Sequence, residues 1–468
     1  MNMISKLKID YSQDFVTLSG DNNPLHTDSL YSRRIMFGRP VIHGVYSLLK
    51  IFDFYSNSLP CMSSLISLEA KFLNPIFDGD SIVLKLDCNE DDYKIQAYLE
   101  ETKLIIIKLK FSSVLKQNLF FENTNELPQI EHPKKLILEN ISKINGNEIN
   151  TVNTNLFNTI FNSLDANKAP QLYSTLLTST RVVGVKCPGA DSLYSSLNLH
   201  FATTSFNNNL FEYNVNKVYK GLSLIKIDFK SLNYVGTINA FLRKQEVQQK
   251  SLKNILQDLT KVQYPKRKAL VIGGTRGLGE VCAKILGSLG YETSITYNKG
   301  IKEAKRISNE FKENNLNLTF FQYNVLDSKK DFLKDKVYDY VFFFATPHIK
   351  TSNSQLIDNK LLDYFNNFYL NGFFSIVNSI KNKKTRFFFP SSVFIDEFPK
   401  YLKEYAISKK ISEYYSEQFN KQKGVKIIHY PRLKKVKTDQ TQDFFNSDSL
   451  DAYEELKSNL IKFLNETN

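Results

Sequence analysis

The stretch KRKALVIGGTRGLGEVCAKILGSLGYETSITYN, residues 266–298, predicts a buried strand, a glycine turn, a helix and a second strand. Three later segments have the apolar character of buried parallel strands: YDYVFFFA (338–345), TRFFFPSS (385–392) and VKIIHYP (425–431). Helical segments alternate with these strands, which is the pattern of right-handed βαβ crossovers. Residues 266–468 are therefore expected to form an α/β Rossmann domain, a doubly wound parallel sheet.

The glycine turn has the residue types that a phosphate group requires. Gly273 allows a sharp turn, Gly277 allows the backbone to approach a pyrophosphate, and Gly279 allows helix and strand to pack closely. The helix N-terminus attracts negative charge. An ordinary tight turn is the alternative, but the position between a strand and a helix favours a nucleotide site.

The spacing GxxxGxG resembles that of the short-chain dehydrogenase/reductase family. The segment YAISK supplies Tyr405 and Lys409, the YxxxK pair, and Ser392 stands thirteen residues before Tyr405 at the end of an apolar strand. The resemblance implies that Tyr405 is the general acid that protonates a carbonyl oxygen and that Ser392 hydrogen-bonds the substrate oxygen. Lys409 would lower the pKa of Tyr405 and hold the cofactor ribose.

The cofactor predicted from this resemblance is NADP(H). The second strand ends in ITYNKG (295–300) without an acidic residue for a ribose 2′-hydroxyl, and Arg276 is available for a 2′-phosphate. The residues expected to bind the cofactor are Gly273, Thr275, Arg276, Gly277, Leu278, Gly279, Asn324, Ala345 and Lys409.

Several positions depart from the family pattern. The family's NNAG segment is FFAT (343–346) here, its helix asparagine corresponds to Tyr369, and Asn324 stands where the family has an aspartate. These departures leave a second possibility, that the domain binds a nucleotide without catalysing a reduction.

The remaining sequence divides into two similar blocks. A chain of 468 residues suggests about three domains, at roughly 150 residues each. Residues 1–118 and 150–245 each show a helix followed by strands of alternating polarity, and SSLISLEAKF (63–72) is echoed by SSLNLHF (195–201). Polar stretches at 119–149 and 246–265 are expected to be linkers. The pattern predicts a duplicated α+β unit in which a long helix packs against a curved sheet.

The stretch LSGDNNPLHTD (18–28) carries the chemistry of the first block. Together with FGRPVIHG (37–44) it resembles the MaoC-like, R-specific enoyl-CoA hydratase family, which has the hot-dog fold. The resemblance implies that Asp21 and His26 share a water molecule that adds to an enoyl thioester. Asn23 would place that water or shape the turn, and a backbone amide near Gly44 would stabilise the thioester oxygen. His43 is expected to be structural.

The second block lacks an Asp-x-x-x-x-His motif. Its one histidine, His200, falls on a predicted strand. By analogy with the family, the second block is interpreted as the non-catalytic half of a double hot-dog.

Composition excludes several other classes. The net charge is +13, but the basic residues are scattered, which argues against nucleic acid as a partner. The four cysteines lie far apart without a CxxC pair, so no metal site is expected. No apolar run reaches the length of a membrane helix and no signal peptide is recognised, so the expected location is the cytoplasm.

The two resemblances share one intermediate, a 3-hydroxyacyl thioester. The sequence therefore predicts a bifunctional enzyme that reduces a 3-ketoacyl thioester to the (R)-3-hydroxyacyl compound and dehydrates it to the enoyl thioester. The carrier would be CoA or an acidic acyl carrier protein, and a homodimer is expected. The alternatives are a hydratase with a degenerate reductase domain, a basic binding protein without chemistry, and an enzyme working in the oxidative direction.

Overall fold

The computed structural model describes residues 2–35, 37–112, 125–202, 209–243, 247–259, 266–327, 333, 337–352, 354–380, 382–438 and 450–467. The chain divides into two compact units, Met1–Gln245 and Glu246–Asn468. Among the described residues, no helix combines the length and the apolar composition needed to cross a lipid bilayer.

The first unit is built on one large antiparallel sheet. Its strands are β1 (Asn2–Lys8), β2 (Leu65–Phe72), β3 (Ser81–Asn89), β4 (Asp92–Leu99), β5 (Thr102–Phe111), β6 (Asn145–Ile149), β7 (Ser192–Phe201), β8 (Leu210–Tyr219), β9 (Leu224–Ser231) and β10 (Tyr234–Leu242). Its helices are α1 (Asp14–Ser19), α2 (Pro24–Thr27), α3 (Ser29–Ser32), α4 (Gly44–Phe54), α5 (Leu138–Ile141), α6 (Thr154–Ile160) and α7 (Pro170–Arg181). A π-helical turn, Val182–Lys186, continues α7.

The two halves of this sheet have the same strand order when each half is counted from its outer edge to the centre. The whole sheet runs β1-β3-β4-β5-β2-β7-β10-β9-β8-β6, so each strand of the first half has a counterpart in the second. The two strands that carry the sequence echo, β2 and β7, pair at the centre, with Ala70 opposite Leu197 and Leu68 opposite Leu199. All four of these side chains are fully buried in one core, which also contains α4 and α7. The two halves therefore share one sheet and one core.

The edges of this sheet differ from the sequence-based expectation. Residues 119–149 were expected to be a linker, but 138–149 form α5 and the edge strand β6, which pairs with β8. The segment NGNEI of β6 alternates only between exposed and partly exposed side chains, so it has no apolar pattern to reveal a strand. Residues 113–124, part of which belongs to the same expected linker, lie outside the described residues.

The second unit is built on a parallel sheet, as the sequence predicts. Its strands are β11 (Lys268–Ile272), β12 (Glu292–Tyr297), β13 (Leu318–Gln322), β14 (Tyr340–Phe343), β15 (Arg386–Phe388), β16 (Ser391–Ser392), β17 (Ile428–His429) and β18 (Arg432–Leu433). Its helices are α8 (Leu252–Leu259), α9 (Gly277–Ser288), α10 (Ile301–Glu313), α11 (Asn359–Asn366), α12 (Phe373–Ser379), α13 (Phe394–Glu397), α14 (Lys403–Lys423) and α15 (Ala452–Thr467). A π-helical turn, Asn367–Gly372, joins α11 to α12.

The strand order in this sheet is β13-β12-β11-β14-β15-β17, with every neighbouring pair parallel. This is the doubly wound order, in which the chain switches direction across the sheet between its first and fourth strands. Strand β11 is buried on both faces: Ala269 and Val271 belong to one apolar core, Leu270 and Ile272 to the other. The loops that follow β11 and β14 thus meet where such sheets bind ligands.

The expected linker 246–265 contains a helix. Helix α8 inserts Leu252, Ile255 and Leu259 into the core that also holds α9 and α15. Residues 260–265 lie outside the described residues.

Candidate active sites

The stretch 18–28 forms two short helices separated by a buried turn. Helix α1 ends at Gly20, whose φ of +74° is a left-handed conformation that favours glycine. Helix α2 begins after Asn23, whose side-chain oxygen accepts a hydrogen bond from the Leu25 amide at 3.0 Å. The turn between the two helices places Asp21, and α2 carries His26.

Asp21 is almost fully buried and both of its carboxylate oxygens have partners. Oδ1 accepts a hydrogen bond from the Asn23 amide at 3.2 Å, and Oδ2 accepts one from Thr180 Oγ1 at 2.7 Å. Burial raises the pKa of Asp21, whereas the attraction of His26 and the bond from Thr180 act in the opposite direction. Burial therefore favours the protonated form of this carboxyl group more than exposure to water would.

His26 presents one unprotonated nitrogen. Its Nδ1 lies 2.6 Å from the Val41 carbonyl oxygen, and because a carbonyl only accepts, Nδ1 carries the proton and Nε2 does not. Burial and the neighbouring His43 lower the pKa of His26 to about 3. The ring is thus neutral at pH 7 and can accept a proton at Nε2.

His43 stacks on His26 with ring centres 3.7 Å apart. Its Nε2 donates to the Asp21 carbonyl oxygen at 3.0 Å, and its Nδ1 accepts from the Tyr11 hydroxyl at 2.9 Å. Burial lowers the pKa of His43 to about 3. Asp21, His26 and His43 each bring one possible ligand atom within 4.8 Å of the others, but both nitrogens of His43 are already engaged. The cluster therefore offers too few open donors for a tetrahedral zinc ion.

Asn23 and Gly44 occupy constrained positions beside this cluster. The side-chain Nδ2 of Asn23 lies 3.2–3.3 Å from the carbonyl oxygens of Gly184 and Gly189 and from the Ser192 hydroxyl, which favours a structural role over water placement. Gly44 is the first residue of α4, and a Cβ there would lie 3.0 Å from the Phe72 ring. Its amide belongs to the first turn of an eleven-residue helix, where N–H groups have no helical acceptor.

The structure adds two residues that the sequence reasoning missed. Thr180, at the end of α7, donates to Asp21, and Gly184, in the π-helical turn, lies so close that a Cβ would overlap the Asp21 carboxylate. Both come from the second half of the sheet. A threonine and a glycine about 160 residues downstream carry no motif that would have linked them to Asp21.

The predicted nucleotide site lies at the switch point of the parallel sheet. Gly273 has φ +77°, and its backbone amide donates a hydrogen bond to Thr296 Oγ1 of β12 at 3.0 Å. A Cβ at Gly273 would lie 2.8 Å from the Ala345 amide nitrogen. A Cβ at Gly279 would overlap the Gly273 carbonyl oxygen. The glycine turn is therefore pressed against the ends of β12 and β14, and α9 begins directly above it at Gly277.

The other predicted cofactor residues surround this turn. Thr275 is buried in it, Arg276 precedes the first residue of α9, and Leu278 packs against the adjoining core. Asn324 lies in the turn after β13, where its Nδ2 donates to Asp327 Oδ1 at 3.1 Å. Strand β12 ends in Thr296 and Tyr297 without an acidic side chain. A glycine cradle that a Cβ would fill, with a twelve-residue helix starting above it, fits a dinucleotide, and an arginine at the N-cap of that helix fits a phosphate group.

The structure brings Ser392, Tyr405 and Lys409 together. Tyr405 and Lys409 lie one turn apart on α14, so they share a helix face. The Ser392 side chain hydrogen-bonds Tyr405, and Lys409 Nζ donates to the Pro390 carbonyl oxygen at 2.8 Å. Burial raises the pKa of Tyr405 to about 12 and lowers the pKa of Lys409 to about 7. The expected lowering of the tyrosine pKa by Lys409 is therefore not seen, because burial disfavours both charged forms.

Tyr369, which the sequence analysis matched to a family asparagine, lies beside Lys409. It lies in the π-helical turn, its hydroxyl hydrogen-bonds Thr346, and its ring centre is 3.9 Å from Lys409 Nζ. The Lys409 ammonium also lies 4.5 Å from the centre of the Phe389 ring. Aromatic rings thus surround the lysine that the sequence assigned to catalysis.

Glu413, Arg432 and Asp396 form an ion-pair network that includes α14, the helix of Tyr405 and Lys409. Glu413, one turn after Lys409, accepts hydrogen bonds from Ser391 Oγ at 2.7 Å and from Arg432 Nη2 at 2.6 Å. Arg432 also binds Asp396 through Nη1 at 2.6 and 2.7 Å. The network joins α14 to the two strands that carry Ser391 and Arg432.

Comparisons with known proteins match the region that contains the first site. Residues 6–108 match the family model described as MaoC like domain. The (R)-specific enoyl-CoA hydratase of Aeromonas caviae is 30% identical over 74 residues, which are 16% of this chain and 55% of that protein. The chain thus spans about half the length of this curated relative.

Solved structures similar to this chain include short-chain dehydrogenases. A 3-oxoacyl (acyl-carrier-protein) reductase from Agrobacterium tumefaciens C58 with NADP bound is 17% identical, with a TM-score of 0.35, over 38% of this chain and 73% of that one. A short chain dehydrogenase from Burkholderia cenocepacia J2315 in complex with NADP is 18% identical, with a TM-score of 0.37, over 42% of this chain and 89% of that one.

Proposed function

We propose that this protein is a bifunctional enzyme of acyl thioesters, with a hydratase site at Asp21 and His26 and a reductase site at Ser392, Tyr405 and Lys409. The first unit would be a double hot-dog, with catalytic residues in its first half, and the second a Rossmann reductase. The observation that carries the proposal is the pairing of a buried carboxyl group in a turn with a neutral imidazole on the short helix that follows it, within the region that matches the MaoC-like family.

The first site suits the addition of water to an enoyl thioester. A water held between the Asp21 carboxylate and His26 Nε2 has an acceptor for each of its protons. Its oxygen forms the new C–O bond at the β-carbon as an O–H bond breaks, and one of the two residues then protonates the α-carbon. The reverse sequence dehydrates a 3-hydroxyacyl thioester. The Gly44 amide is the proposed donor to the thioester oxygen as it gains negative charge.

The second site suits proton delivery to a carbonyl oxygen. Ser392 and Tyr405 share a hydrogen bond, so both hydroxyls can approach one substrate oxygen, and Tyr405 is the proposed proton donor. The glycine turn and Arg276 would bind NADP(H), which supplies hydride when bound. Lys409, held by the Pro390 carbonyl, would orient the ribose beside Tyr405.

The two sites together favour a 3-hydroxyacyl thioester as the shared compound. A reductase of 3-ketoacyl thioesters makes it, and a dehydratase removes water from it. The carrier is proposed to be CoA or an acyl carrier protein, because the chain's charge of +13 favours anionic partners.

A second candidate function is a hydratase whose reductase-like unit no longer catalyses reduction. The contact of Tyr369 with Lys409 favours it, because an aromatic ring occupies the space beside the lysine that a hydrogen-bonding side chain would otherwise share with water. In that case the unit would bind nucleotide without turnover.

The test is to mix the purified full-length protein with NADPH and acetoacetyl-CoA, and to follow cofactor absorbance together with thioester mass. NADPH loss followed by a product lighter by one water supports both sites. Asp21→Asn and His26→Gln should each stop the product at the hydroxyacyl stage, whereas Tyr405→Phe should block the first step only. Hydration of crotonyl-CoA with stable NADPH would instead support the hydratase alone, and inactivity in both assays with CoA and carrier-protein thioesters would refute the proposal.

A further inference from the structure

The carboxylate of Asp21 accepts a hydrogen bond from a hydroxyl in the opposite half of the first unit. Thr180 Oγ1 lies 2.7 Å from Asp21 Oδ2, across 159 residues of sequence, and both side chains are buried. An ionised carboxylate only accepts, so Thr180 is the donor. This bond is one of the contacts through which the second half, which lacks the catalytic motif, reaches the candidate site.

Other hydroxyls of α7 bond within their own half. Thr175 Oγ1 lies 2.8 Å from Ser231 Oγ, and Ser179 Oγ donates to the Leu176 carbonyl oxygen at 2.7 Å. Both residues are as deeply buried as Thr180. A general need to satisfy buried hydroxyls therefore accounts for Thr175 and Ser179 but not for the direction in which Thr180 points.

The charged and titratable groups around Asp21 explain why its carboxylate needs a hydrogen bond from Thr180. The charged or titratable groups facing Asp21 are His26, His43, Tyr11 and Arg181. Both histidines are neutral at pH 7, and Arg181 is paired with Glu148 at 3.4 Å. With little positive charge close to it, the carboxylate depends on hydrogen bonds to hold its negative charge in a buried place.

We propose that Thr180 is a positioning residue for Asp21: its hydroxyl occupies Oδ2, fixes the rotation of the carboxylate and stabilises its ionised form. This inference rests on the proposed hydratase function of Asp21 and His26. It assigns the second half of the sheet a part in the chemistry, since the site is incomplete without a donor from α7.

Three variants test the proposal. Thr180→Val keeps the shape and removes the hydroxyl, Thr180→Ser restores a hydroxyl, and Thr175→Val is the matched control one and a half turns earlier on α7. For crotonyl-CoA hydration we expect Thr180→Val to lower kcat by about 10- to 100-fold with little change in KM. The acid limb of the pH–rate profile of Thr180→Val should move up by about one pH unit. The kcat values of Thr180→Ser and Thr175→Val should stay within a few-fold of the parent value, with the parent pH profile.

A second readout does not depend on activity. Titration of the Asp21 carboxyl carbon by NMR, assigned with Asp21→Asn, should show a higher midpoint in Thr180→Val and an unchanged one in Thr175→Val. An unchanged midpoint in Thr180→Val, or an equal shift in Thr175→Val, would overturn the positioning role. If the parent protein fails to hydrate any thioester, the proposed function falls, while the NMR titration still decides whether Thr180 controls the charge of Asp21.

Discussion

Lys409 Nζ lies 3.9 Å from the centre of the Tyr369 ring, so a residue assigned to catalysis rests on an aromatic face. The lysine is nearly excluded from solvent, and its hydrogen-bond partner is the Pro390 carbonyl. A ring attracts an ammonium through its quadrupole but stabilises it far less than water does. This balance accounts for a lysine whose pKa is lowered to about 7 by burial.

The lowered pKa of Lys409 predicts a pH-dependent stability of the second unit. Between pH 7 and 10.5 the unfolded chain binds more protons than the folded one, so the free energy of unfolding rises with pH. The rise should be about 2 kcal/mol between pH 7.5 and 9 in the parent protein and absent from Lys409→Met.

The measurement uses a thiol that belongs to the second unit. Cys282 lies buried in α9, so the fraction of Cys282 modified by a short saturating maleimide pulse in urea reports opening of that unit. Labelled peptides are quantified by mass spectrometry at each pH. If the free energy of unfolding changes equally with pH in the parent protein and in Lys409→Met, Lys409 is charged in the folded state over the whole range from pH 7.5 to 9.

Substitutions at Tyr369 should separate its ring from its hydroxyl. Tyr369→Phe keeps the ring beside Lys409 and loses the bond to Thr346, at a cost of about 1 kcal/mol in the free energy of unfolding. Tyr369→Leu also removes the cation–π contact, worth about 0.5–2 kcal/mol. Its pH-dependent rise in stability should therefore begin at a lower pH than in Tyr369→Phe, as followed by Cys282 labelling. The same onset in both variants would deny the ring any influence on Lys409.

Gly184 should tolerate no larger side chain if Asp21 is catalytic. A Cβ would overlap the carboxylate, so Gly184→Ala should displace Asp21 and reduce crotonyl-CoA hydration by about 100-fold. The control is Gly221→Ala, because a Cβ at Gly221 meets no atom within 4 Å. Burial of Cys187, tested by thiol labelling, monitors the fold of the first unit in both variants. Full activity in Gly184→Ala would contradict the placement of Asp21.

His43 should make the first unit sensitive to acid. Its pKa is about 3 in the folded protein and 6.5 in the unfolded chain, so the unfolded state binds more protons between these values. Stability is therefore lost as the pH falls below 6.5, by about 2 kcal/mol per such histidine at pH 5. The parent protein should lose this much more than His43→Asn over that range, measured by Cys187 labelling in urea. Equal losses would mean that His43 is protonated in the fold.

The features that sequence reasoning found are those encoded locally. Asp21 and His26 are five residues apart, one in a turn and the other on the short helix that follows it. Tyr405 and Lys409 lie one turn apart on α14. In each pair, the spacing in sequence alone indicates that the two side chains are close. The parallel sheet is equally local in origin, because each buried strand carries its own apolar run. Thr180 and Gly184 depend on how two halves of a sheet meet, and no short-range pattern records that.

Edge strands and altered positions were harder to predict for other reasons. Strands β1 and β6 pair on one side only and keep much of their length exposed, so polar residues are tolerated there. Tyr369 was visible as a departure from a family pattern, but its stacking on Lys409 depends on the path of a π-helical turn. An altered residue in a family pattern marks a position of interest, but the packing around that residue determines what it does.

The pairing of β2 with β7 also has a consequence for assembly. Two such halves made as separate chains would have to find each other, and their shared site would be lost on dilution. Joined in one chain, they meet at a high effective concentration that does not depend on the amount of protein. The second half, which lacks an Asp-x-x-x-x-His motif, thereby supplies Thr180 to Asp21 of the first half at any protein concentration.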